Sequence, residues 1–235
     1  MNAISPLLGV GVYRIPQAAR LAEVPVARAR AWVAGERRPA DSGQSTGRAR
    51  PLLGTRLSTS GPETLVSFAD LIEMRFAKHF RTMGFSWPRI LRHLPELRRV
   101  VLQHREPGEM SFESDGVRIF AQAVAQTGER KAVELDTRQH VMVDLLERSF
   151  REELRFDASG YIASWQPRAQ YPHVIIDPNR QFGEPIVHPG VPTAILSEDL
   201  LRLGGDADRV ARRYAVSPEA VIEAHRFETD LRSYA

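Results

Sequence analysis

The sequence lacks cysteine altogether. This absence excludes a disulfide scaffold, a cysteine-ligated zinc finger and a thiol nucleophile. No stretch approaches the run of about 18 apolar residues that a membrane-spanning helix needs. The first residues, MNAISPLLGVGVYR, have no basic segment before a long apolar stretch, as a secretory signal would. We therefore expect a cytoplasmic protein without membrane segments.

The usual catalytic signatures are also missing. There is no phosphate-binding loop, no dinucleotide fingerprint and no Gly-x-Ser-x-Gly elbow, and the seven histidines do not stand at zinc-ligand spacing. The best candidate for a catalytic or metal site is the set Asp177, Glu184 and His188, although the same segment is also typical of a turn-rich connection. We expect no enzyme activity, no cofactor and no metal.

Basic residues are plentiful, but Lys78 and Lys131 are the only lysines among the 32 basic side chains. The formal net charge is +3, and it is distributed unevenly. Residues 1–60 carry a net charge of +6, residues 61–110 carry +2 and residues 111–235 carry −5. A basic front and an acidic rear predict that the first part of the chain binds a polyanion and that the rest has another task.

Residues 13–35 have the pattern of two short helices separated by a break at Glu23-Val24-Pro25. This is the layout of a helix-turn-helix, whose second helix enters the DNA major groove. The loop 36–62 is rich in Gly, Pro, Ser and Arg and would supply a wing. Any two amphipathic helices share this pattern, and an arginine-rich codon usage would add arginines to every surface. The candidate DNA-binding residues are Arg28, Arg30, Arg37, Arg38, Arg50 and Arg56.

Residues 64–104 are predicted to be helical and amphipathic. Ser67 is a plausible N-cap, with Asp70 three residues later as in a capping box. The helix should break at Gly84 and restart after Ser86. The apolar face consists of Phe68, Leu71, Ile72, Phe76 and Phe80.

The remainder of the chain combines hairpins with helices. We predict a hairpin around 109–135, a helix over 137–155 and a second hairpin in RFDASGYIASWQP, followed by helices starting near Ile195, Asp206 and Ser217. The predicted fold class is mainly α with small β-hairpins (α+β). The predicted domains are a DNA-binding domain (1–104), a β-rich middle segment with one helix (105–170) and a helical domain (171–235).

The last two predicted helices also form a helix-turn-helix pattern, but its charge argues against DNA binding. The second of these helices carries four acidic residues against Arg226 and Arg232, and a net charge of −2 repels phosphate. We therefore interpret this pair as a packing or protein-interaction element. The acidic residues are Glu219, Glu223, Glu228 and Asp230, and the apolar residues expected to pack are Val210, Val221, Ile222 and Phe227.

Two parts of the chain resemble known families. The stretches YRIPQAARLAEVPVARARAWVAGERR and VSFADLIEMRFAKHFRTMGFSWPRILRHL resemble the MerR-like winged helix, but Ala31-Trp32 stands where that family usually has Tyr-Tyr or Arg-Tyr. The linker to the wing is also longer, and the long dimerisation helix of that family is missing. The positions that match the family pattern are Asp70-Leu71, Met74, Arg81, Gly84-Phe85-Ser86, Ile90 and Leu94.

Residues 174–228 are similar to the DUF-433 family, although Gly190-Val191-Pro192-Thr193 departs from its usual Gly-Thr-Arg. The matching positions are Asp177-Pro178, Gly183, Pro185-Ile186, Gly190, Pro192-Thr193, Leu200, Gly204, Val210, Tyr214, Ser217 and Val221.

Together the two parts resemble large VapB-type antitoxins of bacterial toxin–antitoxin operons. The resemblance implies a cognate toxin with a PIN-like ribonuclease fold and autoregulation by binding operator DNA. We expect a homodimer, which would set DNA half-sites about one helical turn, or a multiple of it, apart. The alternative is a MerR-like regulator that responds to a small ligand and has no toxin, with a pocket around Phe112, Phe120, Tyr161 and Trp165.

Overall fold

The computed structural model of the chain describes residues 11–34, 64–82, 84, 86, 90, 152–157 and 162–233. The predicted wing at 36–62, the hairpin at 109–135 and most of the helix at 137–155 lie outside these residues. In the first part of the chain the structure has β1 (Tyr13–Arg14), α1 (Ile15–Leu21), α2 (Val26–Ala34), β2 (Leu65–Val66) and α3 (Phe68–Thr82).

The predicted pair of short helices at 13–35 is confirmed as α1 and α2. Proline lies in the first turn of α1, where its missing N–H is not needed. The turn between the helices contains Glu23 with φ of +56°, a left-handed conformation that is uncommon for a residue with a side chain. β1 pairs antiparallel with β2 and so ties the start of α1 to the start of α3. Alanines and a leucine of α1 pack inward: Ala18, Ala19 and Leu21.

α3 begins as predicted, at a capping box. The Asp70 backbone N–H donates to the Ser67 hydroxyl over 3.2 Å, and the Ser67 backbone N–H donates back to the Asp70 carboxylate over 2.9 Å. The predicted apolar face is also confirmed, because Phe68, Leu71, Ile72, Phe76 and Phe80 are all buried.

The rear of the chain contains more β structure than predicted. An antiparallel five-stranded sheet has the order β3-β4-β5-β6-β7. The hairpin predicted in RFDASGYIASWQP is confirmed as β3 and β4, with Leu154 opposite Trp165. The bounds are β3 (Leu154–Phe156), β4 (Ile162–Trp165), β5 (Val174–Ile176), β6 (Pro185–Val187) and β7 (Val191–Pro192).

Two predictions for this region were wrong in detail. The helix predicted to run to residue 155 gives way to strand β3 at Leu154, and the segment predicted to be helical from 171 begins with three strands. These strands are only two or three residues long, too short to show the alternation that identifies a strand in a sequence. The fold is therefore mixed α and β, with a larger share of β than expected. The domain boundaries at 104 and 170 stay predictions. Strand β4 lies before residue 170 and pairs with β5, which lies after it.

The three rear helices begin close to their predicted positions. Asp206 caps α5 by accepting from the Arg209 backbone N–H over 2.9 Å, and Ser217 caps α6 by accepting from the Ala220 N–H over 3.1 Å. Val210, Val221 and Phe227 are buried as predicted, whereas Ile222 is 38% exposed. The bounds are α4 (Thr193–Arg202), α5 (Ala207–Tyr214) and α6 (Pro218–Ser233).

None of the helices in the described part of the chain is long and apolar enough to cross a membrane.

Candidate nucleic-acid interface and the buried charges beneath it

Helix α2 buries one side and presents small residues outward. Ala29, Trp32 and Val33 lie in the core. The opposite side is centred on Ala27, which is exposed, and Ala31, which is half-buried. Small side chains on the outer side leave room for a groove of DNA to approach the helix backbone.

The two candidate arginines flank this outer side. They stand two positions apart, about 200° around the helix axis, so they reach in different directions. Arg30 is exposed, whereas Arg28 is half-buried. The other four candidates, Arg37, Arg38, Arg50 and Arg56, lie outside the described residues.

Trp32 has a packing role. It is 0% exposed. Any DNA contact by α2 therefore belongs to the residues on its flanks and outer side.

The turn between α1 and α2 is held by a carboxylate. Glu23 accepts from the Arg75 guanidinium over 2.9 Å and from the Lys78 ammonium over 2.8 Å, both on α3. Burial alone would raise the pKa of the Glu23 carboxyl, but the hydrogen bonds from Lys78 and Arg75 outweigh it and lower the pKa. The helix pair is thus fixed to α3 by charge as well as by packing.

Arg75 also reaches the rear of the chain. Its Nε and Nη2 donate to the two carboxylate oxygens of Glu153 over 3.1 and 2.8 Å, a bidentate ion pair. Trp165 of β4 donates its indole N–H to the same carboxylate over 3.2 Å, and His79 lies 3.4 Å from it. Burial opposes ionisation of Glu153, yet His79 and Arg75 together lower its pKa to about 2.

Arg168 extends these charges to the last helix. Its guanidinium lies 3.8 Å from Glu23 and 3.5 Å from Asp230 of α6, and 5.6 Å from the ring centroid of Phe227. The Tyr171 hydroxyl donates to the Asp230 carboxylate. A continuous set of charges therefore runs from the turn of the first helix pair to α6. We call this set the ionic junction: Glu23, Arg75, Lys78, Glu153, Arg168 and Asp230.

The first β-strand makes a second contact with the rear of the chain. The buried Tyr13 hydroxyl donates to the Gly183 carbonyl over 2.7 Å, and the Val12 N–H donates to the Phe182 carbonyl over 2.9 Å. Burial, together with the carboxylates of Asp177 and Glu184, raises the pKa of the Tyr13 phenol well above its ordinary value. The hydroxyl therefore remains a donor.

The predicted set Asp177, Glu184 and His188 does not form a metal-binding group. Asp177 accepts from the Asn179 N–H over 2.8 Å, which makes an Asx turn, while Glu184 and His188 are exposed. No three His, Asp or Glu side chains in the described ranges are arranged to hold a metal ion. A groove of about 410 Å³ beside His173 and His188 is open and mostly apolar.

The ligand pocket of the alternative hypothesis has one residue, Trp165, in the described part of the chain, and that residue does not line a cavity wall open to solvent. Trp165 is 0% exposed and bonds Glu153, while Phe112, Phe120 and Tyr161 lie outside the described residues.

Three of the four acidic residues of α6 accept hydrogen bonds from other elements of the rear of the chain. Glu223 accepts from the His173 backbone N–H over 3.1 Å, Glu228 accepts from the Thr193 hydroxyl, and Asp230 accepts from Tyr171. These contacts fasten α6 to the loop before β5 and to the start of α4.

The sequence patterns did not predict the ionic junction. Its residues are far apart in the chain, with Arg75 52 positions from Glu23 and 78 from Glu153. The available signal was the position of Arg75, a charged residue four positions after Leu71 and so on the apolar side of α3.

The chain is similar to known proteins over most of its length. No family model matches it. A protein from Mycobacterium tuberculosis strain H37Rv named "Putative antitoxin VapB45" is 27% identical over 227 residues, covering 92% of both chains. The crystal structure of Rv2018 from Mycobacterium tuberculosis superposes with a TM-score of 0.61 at 20% identity, covering 90% of this chain and 96% of that one. The chain thus shares its fold with Rv2018 and is similar along nearly its whole length to a protein named as an antitoxin.

Proposed function

We propose that this chain is the antitoxin of a bacterial toxin–antitoxin pair. The observation that carries the proposal is the 27% identity over 92% of both chains with the Mycobacterium tuberculosis protein. A similarity that spans both the helix pair and the rear sheet and helices involves the whole arrangement rather than one module.

In this proposal the two ends of the chain have different tasks. Residues 1–104, in a MerR-like arrangement, bind the operator of their own operon through α2, with Arg28 and Arg30 at its flanks and Arg37, Arg38, Arg50 and Arg56 on the backbone or in the minor groove. The rear, with a DUF-433-like segment at 171–235, engages a toxin with a PIN-like ribonuclease fold. The ionic junction fixes the turn before α2 to α3 and to the rear, so the proposed DNA-binding helix is anchored to the part proposed to engage the toxin.

The test is co-expression with the product of the neighbouring gene. Induction of that gene alone should arrest growth, and induction of both genes should restore growth and yield a stoichiometric complex on purification. The double variant R28A/R30A should still rescue growth, because it alters only the proposed DNA-binding helix. Failure of the unaltered chain to rescue growth or to co-purify with the neighbour would contradict the antitoxin role.

A further inference from the structure

A groove lies between one end of the β5–β6 hairpin and the turn that joins α5 to α6. Its volume is about 410 Å³, which is within the range of roughly 300–1,000 Å³ that is typical of small-molecule sites. Apolar side chains of the sheet, of the turn and of α6 line most of the groove, together with two histidines. The lining includes Ile175, Val187, Val216, Ala220, His173 and His188.

The two histidines come from the same end of the hairpin. Val174 lies opposite Val187 in the pairing of β5 with β6. His173 precedes Val174 and His188 follows Val187, so both histidines stand one position beyond this pair. An imidazole is flat and can pack against another aromatic ring, and its nitrogens form hydrogen bonds. An otherwise apolar groove therefore has two side chains that suit a flat ligand with a polar group.

One of these rings is oriented by a carboxylate of α6. Nδ1 of His173 lies 3.0 Å from Oε1 of Glu223, and the His173 backbone N–H donates to Oε2 of the same carboxylate over 3.1 Å. A hydrogen bond at one ring nitrogen determines which nitrogen carries the proton. The carboxylate assigns the proton to Nδ1, so Nε2 of the neutral ring is an acceptor. The complementary group on a ligand is an N–H or O–H donor.

The charges beside the groove favour an uncharged ligand. The backbone N–H of Glu219 and the Ser217 hydroxyl lower the pKa of the Glu219 carboxyl, so this group is negatively charged, like Glu223. Two carboxylates near the groove repel an anion. Neither carboxylate lines the groove, and Glu223 is already engaged by His173, so a cation in the groove would lose water without gaining a charged partner.

We propose that this groove binds a small, uncharged aromatic molecule whose N–H or O–H group donates to Nε2 of His173. The aromatic ring packs on the apolar lining and against His188. A standard protein interface buries roughly 800 Å² on each partner, whereas the apolar lining here belongs to one groove of small-molecule size. The proposal goes beyond the antitoxin role and does not depend on it.

The first test is an NMR titration of the full chain with indole and with 1-methylindole, which differs by a methyl group in place of the N–H hydrogen. Indole should shift the signals of His173 and Val216 saturably, and 1-methylindole should bind about fivefold more weakly or worse, because Nε2 is left without its donor. In H173A the two probes should bind equally weakly. E223A should lower the affinity ratio of the two probes towards one, because it frees the His173 ring, whereas a merely structural role of Glu223 would weaken both probes alike.

The second test fills the groove. Ala215 is exposed and lines the groove, so A215F should weaken indole binding about tenfold or more. The matched control A194F adds the same ring at an exposed alanine of α4 outside the groove and should bind indole like the wild type. Circular dichroism checks that each variant is folded, and H173A provides the same test through the affinity ratio if A215F does not fold. The proposal would be overturned by the absence of saturable shifts, by equal binding of the two probes to the wild type, by unchanged binding in A215F, or by tighter binding of indole-3-carboxylate than of indole.

Discussion

Arg75 and Glu153 form a bidentate ion pair, with N–O distances of 3.1 and 2.8 Å, between α3 and the start of the rear sheet. Their side chains are 10% and 13% exposed. Burying a charge costs desolvation free energy, and in this pair the attraction between the two side chains offsets that cost. If either side chain is removed, the other remains buried and uncompensated. The pair therefore joins the two parts of the chain and depends on both of its members.

Removing one partner should be far more harmful than removing both. We expect R75A to lower the free energy of unfolding by about 3–5 kcal/mol, because Glu153 is left buried without its main cation. The matched control R212A, at an exposed arginine of α5, should change it by less than about 0.5 kcal/mol. The apolar double variant R75M/E153L should recover most of the loss of R75A. Urea unfolding measures all three, and equal effects of R75A and R212A would contradict the buried ion pair.

Stability should fall in acid in a way that depends on Glu153. Its pKa is about 2 in the folded protein against about 4.5 for the free side chain. A lowered pKa stabilises the fold at pH values above 4.5, and this contribution is lost as the pH falls from about 4.5 to 2. Between pH 7 and pH 3 the wild type should lose about 2 kcal/mol more than E153Q, which cannot titrate there. The measurement is the free energy of unfolding in urea as a function of pH. If it changes equally with pH in the wild type and in E153Q, Glu153 is not paired as described.

The contact between Tyr13 and Gly183 leaves no space for a side chain at position 183, so any substitution there should destabilise the fold. A Cβ there would lie 2.2 Å from the Tyr13 hydroxyl oxygen, and the φ of Gly183 is +84°. Gly84 has a similar φ of +88° with nothing within 4 Å. We expect G84A to cost about 1 kcal/mol for backbone strain alone, and G183A to cost about 1–3 kcal/mol more for the clash. Thermal unfolding compares the two; equal losses would contradict the close packing of Tyr13.

Operator binding should depend on α2 rather than on the rear helix pair. R28A/R30A should weaken binding to the promoter of its own operon by about 1–3 kcal/mol per lost base contact, and lower the slope of log affinity against log salt by about 0.9 per lost phosphate contact. R30A alone should be more harmful than R28A, because Arg30 is the more exposed. The control R209A/R212A removes the same charge from exposed positions of α5. Measured by fluorescence anisotropy, the operator affinity of the control should be close to that of the wild type. An equal loss of affinity in R28A/R30A and in the control would mean that net charge alone, and not the position of the arginines on α2, determines binding.

The predictions that were confirmed are those that depend on neighbouring residues. The capping box of Ser67 and Asp70, and the break between α1 and α2 at Glu23-Val24-Pro25, are determined within three or four positions. The short strands of the rear sheet depend on partners elsewhere in the chain, so nearby residues do not identify them, and the segment that holds β5, β6 and β7 is predicted to be helical instead. The ionic junction joins positions 52 and 78 residues apart, and no periodicity reveals such pairs.

As the proposed antitoxin, this chain should neutralise a toxin encoded beside it. An RNA-cleavage assay tests this, in which the purified toxin is titrated with increasing amounts of the full chain. Cleavage should fall linearly and end at a fixed stoichiometric ratio, and R28A/R30A should inhibit as well as the wild type. Cleavage that continues undiminished at a large molar excess of the chain would rule out the antitoxin role.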